Sequence, residues 1–401
     1  MLEANFQQKI TNSSLIREFV IEGTRQEDRK TISYEILDSP TLPVPATLDA
    51  FVIGAIFYVM RAGRPLRVRG NLSRSAMMNL HLFQEAWQNM RPDRYRVVDV
   101  IPDSVVDLSP PSAARCLSLF SGGLDSTFTV TRLKQEANYR DRITLTDVLF
   151  VQGFDIDPTN RMAFDLATAR VAPFLAGLGL KLRRLRTNSK ELFDDWENAH
   201  GAQSAACLHQ FNDYRYGFIP ATHPYTASMY PFGSNPATDI LLSADEMTIL
   251  HHGAGYSRVE KVNYLMKFPD ALPHLRVCWQ GKEQHRNCGT CVKCIQTQMD
   301  FWANNLKTIP CFDKPLDEDL IPQLTVKDAG PLNHLKLTLD YAKSRGLGSE
   351  TWVRKLEARL RLLQFAFQAA EQRALHEINN KKKNESWGFP CIRRFFKKKT
   401  R

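Results

Sequence analysis

The run Leu117-Ser118-Leu119-Phe120-Ser121-Gly122-Gly123-Leu124-Asp125-Ser126-Thr127 joins a short apolar stretch to the start of an expected helix. Cys116–Phe120 has the length and character of a buried strand. Two glycines then let the backbone turn tightly and approach an anion. A helix opening at Asp125 would aim free N–H groups and the positive end of its dipole at that anion. Ser121, Ser126 and Thr127 add hydroxyl donors around Leu124. Asp125 would repel bare phosphate, so it reads as a holder of Mg²⁺ or a brace of the loop. No lysine follows the second glycine, which excludes a Walker-type loop. An ordinary strand–turn–helix junction capped by Ser or Asp is the alternative.

Outward from this loop, strands and helices alternate. Thr146–Val151, Leu180–Arg186 and Tyr216–Pro220 read as strands, Met162–Leu178 and Ala202–Gln210 as helices. This rhythm predicts an α/β fold with a doubly wound parallel sheet over residues 115–304. Residues 1–107 read as an α+β accessory domain. Its expected strands are Ile16–Ile21, Thr31–Ile36, Leu66–Gly70 and Tyr95–Ile101, flanking helices Leu48–Arg61 and Ser73–Asn89. The prolines in 108–114 mark a linker. Residues 305–380 read as a helical extension, clearest in Leu332–Lys343 and Thr351–Asn379.

The chain has 401 residues, 43% hydrophobic and 24% charged, as expected of a soluble globular protein. Met1–Lys9 is polar and does not read as a signal peptide. The most apolar run, Ala46–Met60, is too short to span a bilayer, and is expected as a helix buried on most faces. A cytoplasmic protein without a transmembrane segment is the expectation. The net charge of +10 is concentrated at one end. Residues 381–401 hold Lys381, Lys382, Lys383, Arg393, Arg394, Lys397, Lys398, Lys399 and Arg401 against Glu385 alone, or +8. Trp387, Phe389, Ile392, Phe395 and Phe396 interleave with these cations. Such a tail suits a solvated terminus, an acidic partner protein, single-stranded nucleic acid or a membrane surface. The near-neutral body speaks against a basic nucleic-acid groove.

Of eight cysteines, four cluster at Cys278, Cys288, Cys291 and Cys294. Two overlapping Cys-x-x-Cys units with a fourth cysteine nearby suit tetrahedral Zn²⁺, with an iron–sulfur cluster as the rival. Gly289 gives the loop freedom to fold around one ion.

The string Ser121-Gly122-Gly123-Leu124-Asp125-Ser126 resembles the signature of the ATP pyrophosphatases, within the adenine nucleotide alpha hydrolase-like (HUP-like) superfamily. The element Cys278-Trp279 … Cys288-Gly289-Thr290-Cys291-Val292-Lys293-Cys294 is similar to the zinc knot of the QueC branch, the 7-cyano-7-deazaguanine synthases. The resemblance covers about residues 115–300. It implies ATP with Mg²⁺, a structural zinc, and a ligase that adenylates a carboxylate, that of a 7-deazaguanine, releasing pyrophosphate. An amine then displaces AMP, giving an amide, and a second activation gives a nitrile. With no glutaminase region, ammonia or a partner protein's amine is the implied donor. QueC-like proteins with added domains resemble those of bacterial anti-phage defence operons, where the activated deazaguanine is joined to a partner's amine. A tRNA-modifying adenylating enzyme and a non-catalytic nucleotide sensor are the other classes.

The resemblance also implies adenine contacts from the backbone of Phe150 and Val151. Lys261, within Tyr256-Ser257-Arg258-Val259-Glu260-Lys261, matches a family lysine. It reads as reaching phosphate or the adenylate, or as a surface lysine on a helix. The loop 223–239 lies where the family carries an Asp-Cys-Arg element that is absent here. Gly233, Ser234, Asn235 and Asp239 stand in its place as candidate substrate contacts. A turn or cap role for Asp239 is the alternative. His251 and His252, adjacent in sequence, read as core or cap residues.

Overall fold

A computed structural model describes residues 1–386 apart from 12, 38, 40, 193, 194, 229, 279, 327 and 328. The tail aromatics Trp387, Phe389, Ile392, Phe395 and Phe396, with the cations from Arg393 onward, lie outside the described residues. So do Met229 and Trp279.

The chain runs β1 (Leu2–Ile10), β2 (Ser14–Glu22), β3 (Lys30–Leu37), α1 (Asp49–Ala62), β4 (Leu66–Ser73), α2 (Arg74–Met90) and β5 (Val100–Val106). It continues with β6 (Arg115–Leu119), α3 (Leu124–Gln135), α4 (Ala137–Arg140), β7 (Thr144–Gln152), α5 (Arg161–Gly177), β8 (Lys181–Thr187), α6 (Trp196–Leu208) and β9 (Tyr216–Pro220). Then come β10 (Thr248–His252), α7 (Arg258–Leu265), α8 (Val292–Trp302), α9 (Ala329–Ser344) and α10 (Thr351–Ser386).

One ten-stranded sheet runs through the molecule in the order β10-β9-β6-β7-β8-β3-β2-β1-β4-β5. The first five strands of that order are parallel. β3 joins them antiparallel to β8, Tyr34 opposite Thr187 and Leu37 opposite Arg184. The accessory region of residues 1–107 therefore extends the sheet of the body and does not stand apart from it. Residues 108–114 carry the chain from the edge strand β5 to β6 near the middle of the parallel half.

Side chains alternate across β6 and β7, as strand geometry requires. Cys116, Val148 and Phe150 enter a core with α3, α5, α7, α8, α9 and the first turns of α10. Leu117 and Leu149 enter the opposite core, with α1, α2 and α6. Helix α1 buries every residue except Tyr58, Arg61 and Ala62, as expected for the apolar run there. It can approach α6 closely because Gly54 has no side chain: a methyl there would meet Tyr34 and Ala206. Gln203 Nε2 donates to Gly54 O at 2.6 Å across the same contact.

Two strands escape the sequence reading. β1 lies in the polar N-terminal stretch, where only Leu2 and Ala4 are buried. β10 carries His251 and His252 at the other edge. β5 begins at Val100 because Tyr95 is taken into the core instead, its ring 5.0 Å from Phe57 and 6.0 Å from Trp87. The helical extension shares the body's core, with Trp352 against Trp302 at 6.1 Å. α10 continues to Ser386, so the boundary expected at 380 falls inside a helix. Among the described residues no helix is long and apolar enough to cross a membrane.

Candidate functional site

In the parallel half, β6 sends its next connection to β7 on one side, while β9 flanks it on the other. This is the switch point at which open α/β sheets bind ligands, beyond the carboxyl ends of the strands. A cleft of about 380 Å³ lies there, floored by Leu119 of β6, Leu149 and Val151 of β7, and Ile219 of β9.

The glycine loop forms one end of this cleft. Gly122 has φ +73°, and a methyl there would press on Val171 at 2.9 Å, so glycine is required. Ser121 N donates to Ser126 Oγ at 3.2 Å, and Ser126 Oγ donates to Gly123 O at 3.1 Å. The N-cap of α3 is Gly123, with no side-chain cap. Ser and Asp are thus not capping here, and the first-turn N–H groups of α3 lack an intrahelical partner. Ser121, Gly123, Leu124, Asp125 and Ser126 all line the cleft.

Asp125 is a brace. Oδ2 accepts from Arg258 Nη1 at 2.5 Å and Oδ1 from Lys261 Nζ at 2.8 Å. Burial alone would raise its pKa, but the charges of Arg258 and Lys261 outweigh burial and hold it well below the usual range. Lys261 is fully buried and also donates to Ala221 O at 2.5 Å. It lies beneath the loop, neither in the cleft nor on the surface. The helix start at this segment is well made: Ser257 Oγ accepts from Glu260 N at 3.4 Å, and Glu260 Oε2 accepts from Ser257 N at 2.8 Å.

Cations do face the cleft, and sequence reading missed them. Lys293, one residue before Cys294, and Arg276, two before Cys278, both line it, as does Lys190. Arg276 is welded to the loop: its N–H donates to Gly122 O at 2.7 Å and its Nε to Ser121 O at 3.3 Å. Burial lowers its pKa, opposed by Asp155 at 3.5 Å. The signal for Lys293 was its place between Cys291 and Cys294 at a helix start.

The four sulfurs of Cys278, Cys288, Cys291 and Cys294 lie within 4.8 Å of one another, a set that could hold a zinc ion. Cys278–Cys291 and Cys288–Cys294 are each 3.8 Å apart. Thiolates at about 2.3 Å from one Zn²⁺ make a tetrahedron with an edge of about 3.8 Å. Disulfides are excluded at this spacing. An iron–sulfur cluster divides the thiolates among two or four irons and would spread them further. Backbone donors converge as well, Gly281 N on Cys278 Sγ at 3.2 Å and Cys291 N on Cys288 Sγ at 3.3 Å.

Val151 lines the cleft, whereas Phe150 turns to the other face against Phe164. β6 ends at Leu119, opposite Leu149, so the backbone edge of Val151 faces the cleft. Of the loop residues expected to touch substrate, Ser234 alone lines it. Asp239 is fully buried and accepts from Ser234 Oγ at 2.7 Å and Asn235 N at 3.1 Å, with His251 Nδ1 at 2.8 Å. Asn235 folds back on its own loop, donating to Phe232 O and Thr238 Oγ1 at 2.8 Å each. Gly233 packs on α6. These residues shape the loop that carries Ser234.

Burial lowers the pKa of five histidines, His200 and His334 among them; His209 and His223 fall to about 4, and His252 to about 3. Unfolded, each titrates near 6.5. The stability they contribute is therefore fully present above pH 6.5 and is lost as pH falls toward 4. Each costs about 1.4 kcal/mol per pH unit in that window. Asp300, raised by burial to about 7, acts oppositely and cancels one of them. Urea midpoints measured between pH 7 and 5 are expected to fall steadily with acidity.

No family model matches the chain, and neither a curated protein nor a solved structure matches it.

Proposed function

We propose that the chain is an ATP-dependent, AMP-forming carbon–nitrogen ligase of the QueC-like kind. The observation that carries this is the uncapped Ser121–Ser126 loop at the sheet's switch point, with Arg276 and Lys293 beside it. First-turn N–H groups and two cations suit a departing pyrophosphate. Mg²⁺ enters with the nucleotide, since Asp125 is already paired. The Val151 backbone edge suits adenine. The aromatic far end of the cleft suits a flat heterocycle such as a 7-deazaguanine bearing a carboxylate.

In this reading a carboxylate oxygen attacks the α-phosphorus, and the bond to the β-phosphate oxygen breaks, releasing pyrophosphate. An amine nitrogen then attacks the acyl carbon, AMP leaves, and the amine gives up a proton. The acceptor is ammonia or an amine of a partner protein, as in the defence setting; with ammonia, the amide oxygen then attacks the α-phosphorus of a second ATP, pyrophosphate leaves, and loss of AMP and the nitrogen's two protons gives the nitrile.

Incubation with ATP, Mg²⁺ and 7-carboxy-7-deazaguanine is expected to release pyrophosphate; release no higher than without the acid sinks the assignment. Lys293→Ala is expected to slow release by about 10²-fold, the usual effect of removing a donor from developing charge. Mass spectrometry of the products distinguishes ammonia from a protein acceptor.

A further inference from the structure

The cleft wall opposite the glycine loop is built by the first turns of α6. Trp196 opens that helix, with Phe154 at 4.9 Å between ring centroids and the Lys190 ammonium 5.2 Å from its ring centre. His200 lies one turn on, 6.2 Å from Trp196 and 4.9 Å from Phe232. The wall is held in place by Gly233, whose N–H donates to Glu197 O at 2.8 Å. A side chain on Gly233 would run into the His200 ring.

The Lys190 ammonium donates to Phe154 O at 2.7 Å, and the groups beside it, Ser234, His200 and Glu197, share one character. Ser234 Oγ spends its proton on Asp239, which leaves lone pairs toward the cleft. His200 Nδ1 is 3.3 Å from Trp196 O, a carbonyl that can only accept, so the proton is on Nδ1 and Nε2 is an acceptor. Glu197 lines the cleft with an exposed side chain. Among the described residues no hydrogen bond or ion pair holds its carboxylate. The other two carboxylates of the cleft are engaged, Asp125 by Arg258 and Lys261, Asp155 by Arg276. Three acceptors grouped beside an indole face select a planar ligand whose edge offers N–H donors.

We infer that Glu197, with His200 and Ser234, reads the N–H-rich amidine edge of a guanine-type base laid against Trp196. This rests on the reading above that a heterocycle occupies this end of the cleft, and it names what selects that heterocycle. The two carboxylate oxygens accept from the ring N–H and the exocyclic amino group, a bidentate, charge-assisted pair. A base lacking the amino group leaves one oxygen unmatched, and an adenine edge presents a ring acceptor to a carboxylate.

Equilibrium binding of 7-carboxy-7-deazaguanine and of its analogue without the 2-amino group is measured by calorimetry on the full chain. The wild type is expected to prefer the guanine-type acid by roughly 10- to 100-fold, the usual worth of a hydrogen bond to a charged group. Glu197→Gln turns one acceptor into a donor and is expected to erase that preference. Trp196→Leu is expected to weaken both ligands alike. A preference unchanged in Glu197→Gln overturns the inference, as does failure of the wild type to bind either acid. So does tight binding of methylammonium at this wall in place of the base. Base binding that depends on Glu197 without pyrophosphate release upholds the inference and removes the ligase reading. Pyrophosphate release indifferent to Glu197 does the reverse.

Discussion

Stripping the zinc-loaded protein with a strong chelator is expected to lower its melting temperature by on the order of 10 °C and to abolish pyrophosphate release. Structural Zn²⁺ in small fingers contributes roughly 10–16 kcal/mol of apparent binding free energy, all of it linked to folding. Here the knot is attached to a large core, so only part of that would appear as global stability. The local effect is greater. Arg276, Val277 and Cys278 hang from the knot: Val277 N and Cys278 N donate to Asn287 Oδ1 at 2.8 and 3.2 Å. Arg276 Nη1 donates to Cys278 O at 3.2 Å and to Gln284 O at 3.0 Å. Releasing the thiolates frees the arginine that holds Gly122 O and Ser121 O. Cys288→Ser tests this cleanly, because Cys288 is exposed and its replacement opens no cavity. Elemental analysis with calorimetry decides. Iron in place of zinc, or a melting temperature indifferent to the chelator, overturns this reading of the cluster.

Asp125→Ala is expected to destabilise the fold by about 3–5 kcal/mol, because it leaves Arg258 and Lys261 charged, buried and without their counter-ion. Most of that cost is the orphaned cations and little of it is the lost contact. Adding Lys261→Met is therefore expected to restore part of the stability, while loop geometry and activity stay impaired. The wild-type ion pairs are also acid-sensitive. Asp125 is depressed in the fold, so its contribution is present above pH 3.8, the ordinary carboxyl range, and is lost as pH falls through the folded value. Urea denaturation of the single and double variants at neutral pH measures both effects. An Asp125→Ala protein as stable as wild type would falsify the role of brace.

The strands and helices flanking Ser121–Ser126 were legible because local signals there agree with the fold: an apolar strand, two glycines, and a helix opening directly after them. The sulfur set was legible because ligand spacing is a local property. Side-chain direction was not. Lys261 and Asp239 are polar residues on plausible elements, and nothing in sequence tells whether they turn into the cleft or beneath it. Burial decides, and burial depends on α7 packing under the loop and on His251 of β10 reaching Asp239. The cleft's cations and acceptors come from segments far apart in the chain: Lys190, Glu197, Ser234, Arg276 and Lys293. Only the switch-point topology assembles them. β1 and the joint between β3 and β8 were hidden for a related reason. Polar edge residues and pairings across some 150 positions carry no short-range pattern.

That joint has a consequence for synthesis on the ribosome. The strands from β1 to β5 are complete by Val106, but β8 begins only at Lys181. At about 5–20 residues per second, the outer edge of β3 waits roughly 7–30 s after its own synthesis for its neighbour to appear. During that interval the nascent chain carries an open strand edge, its backbone from Tyr34 to Leu37 without the partner β8 provides, the kind of surface that pairs with other chains. Slow elongation between residues 107 and 181 would lengthen this exposure, and aggregation during expression is expected to track it.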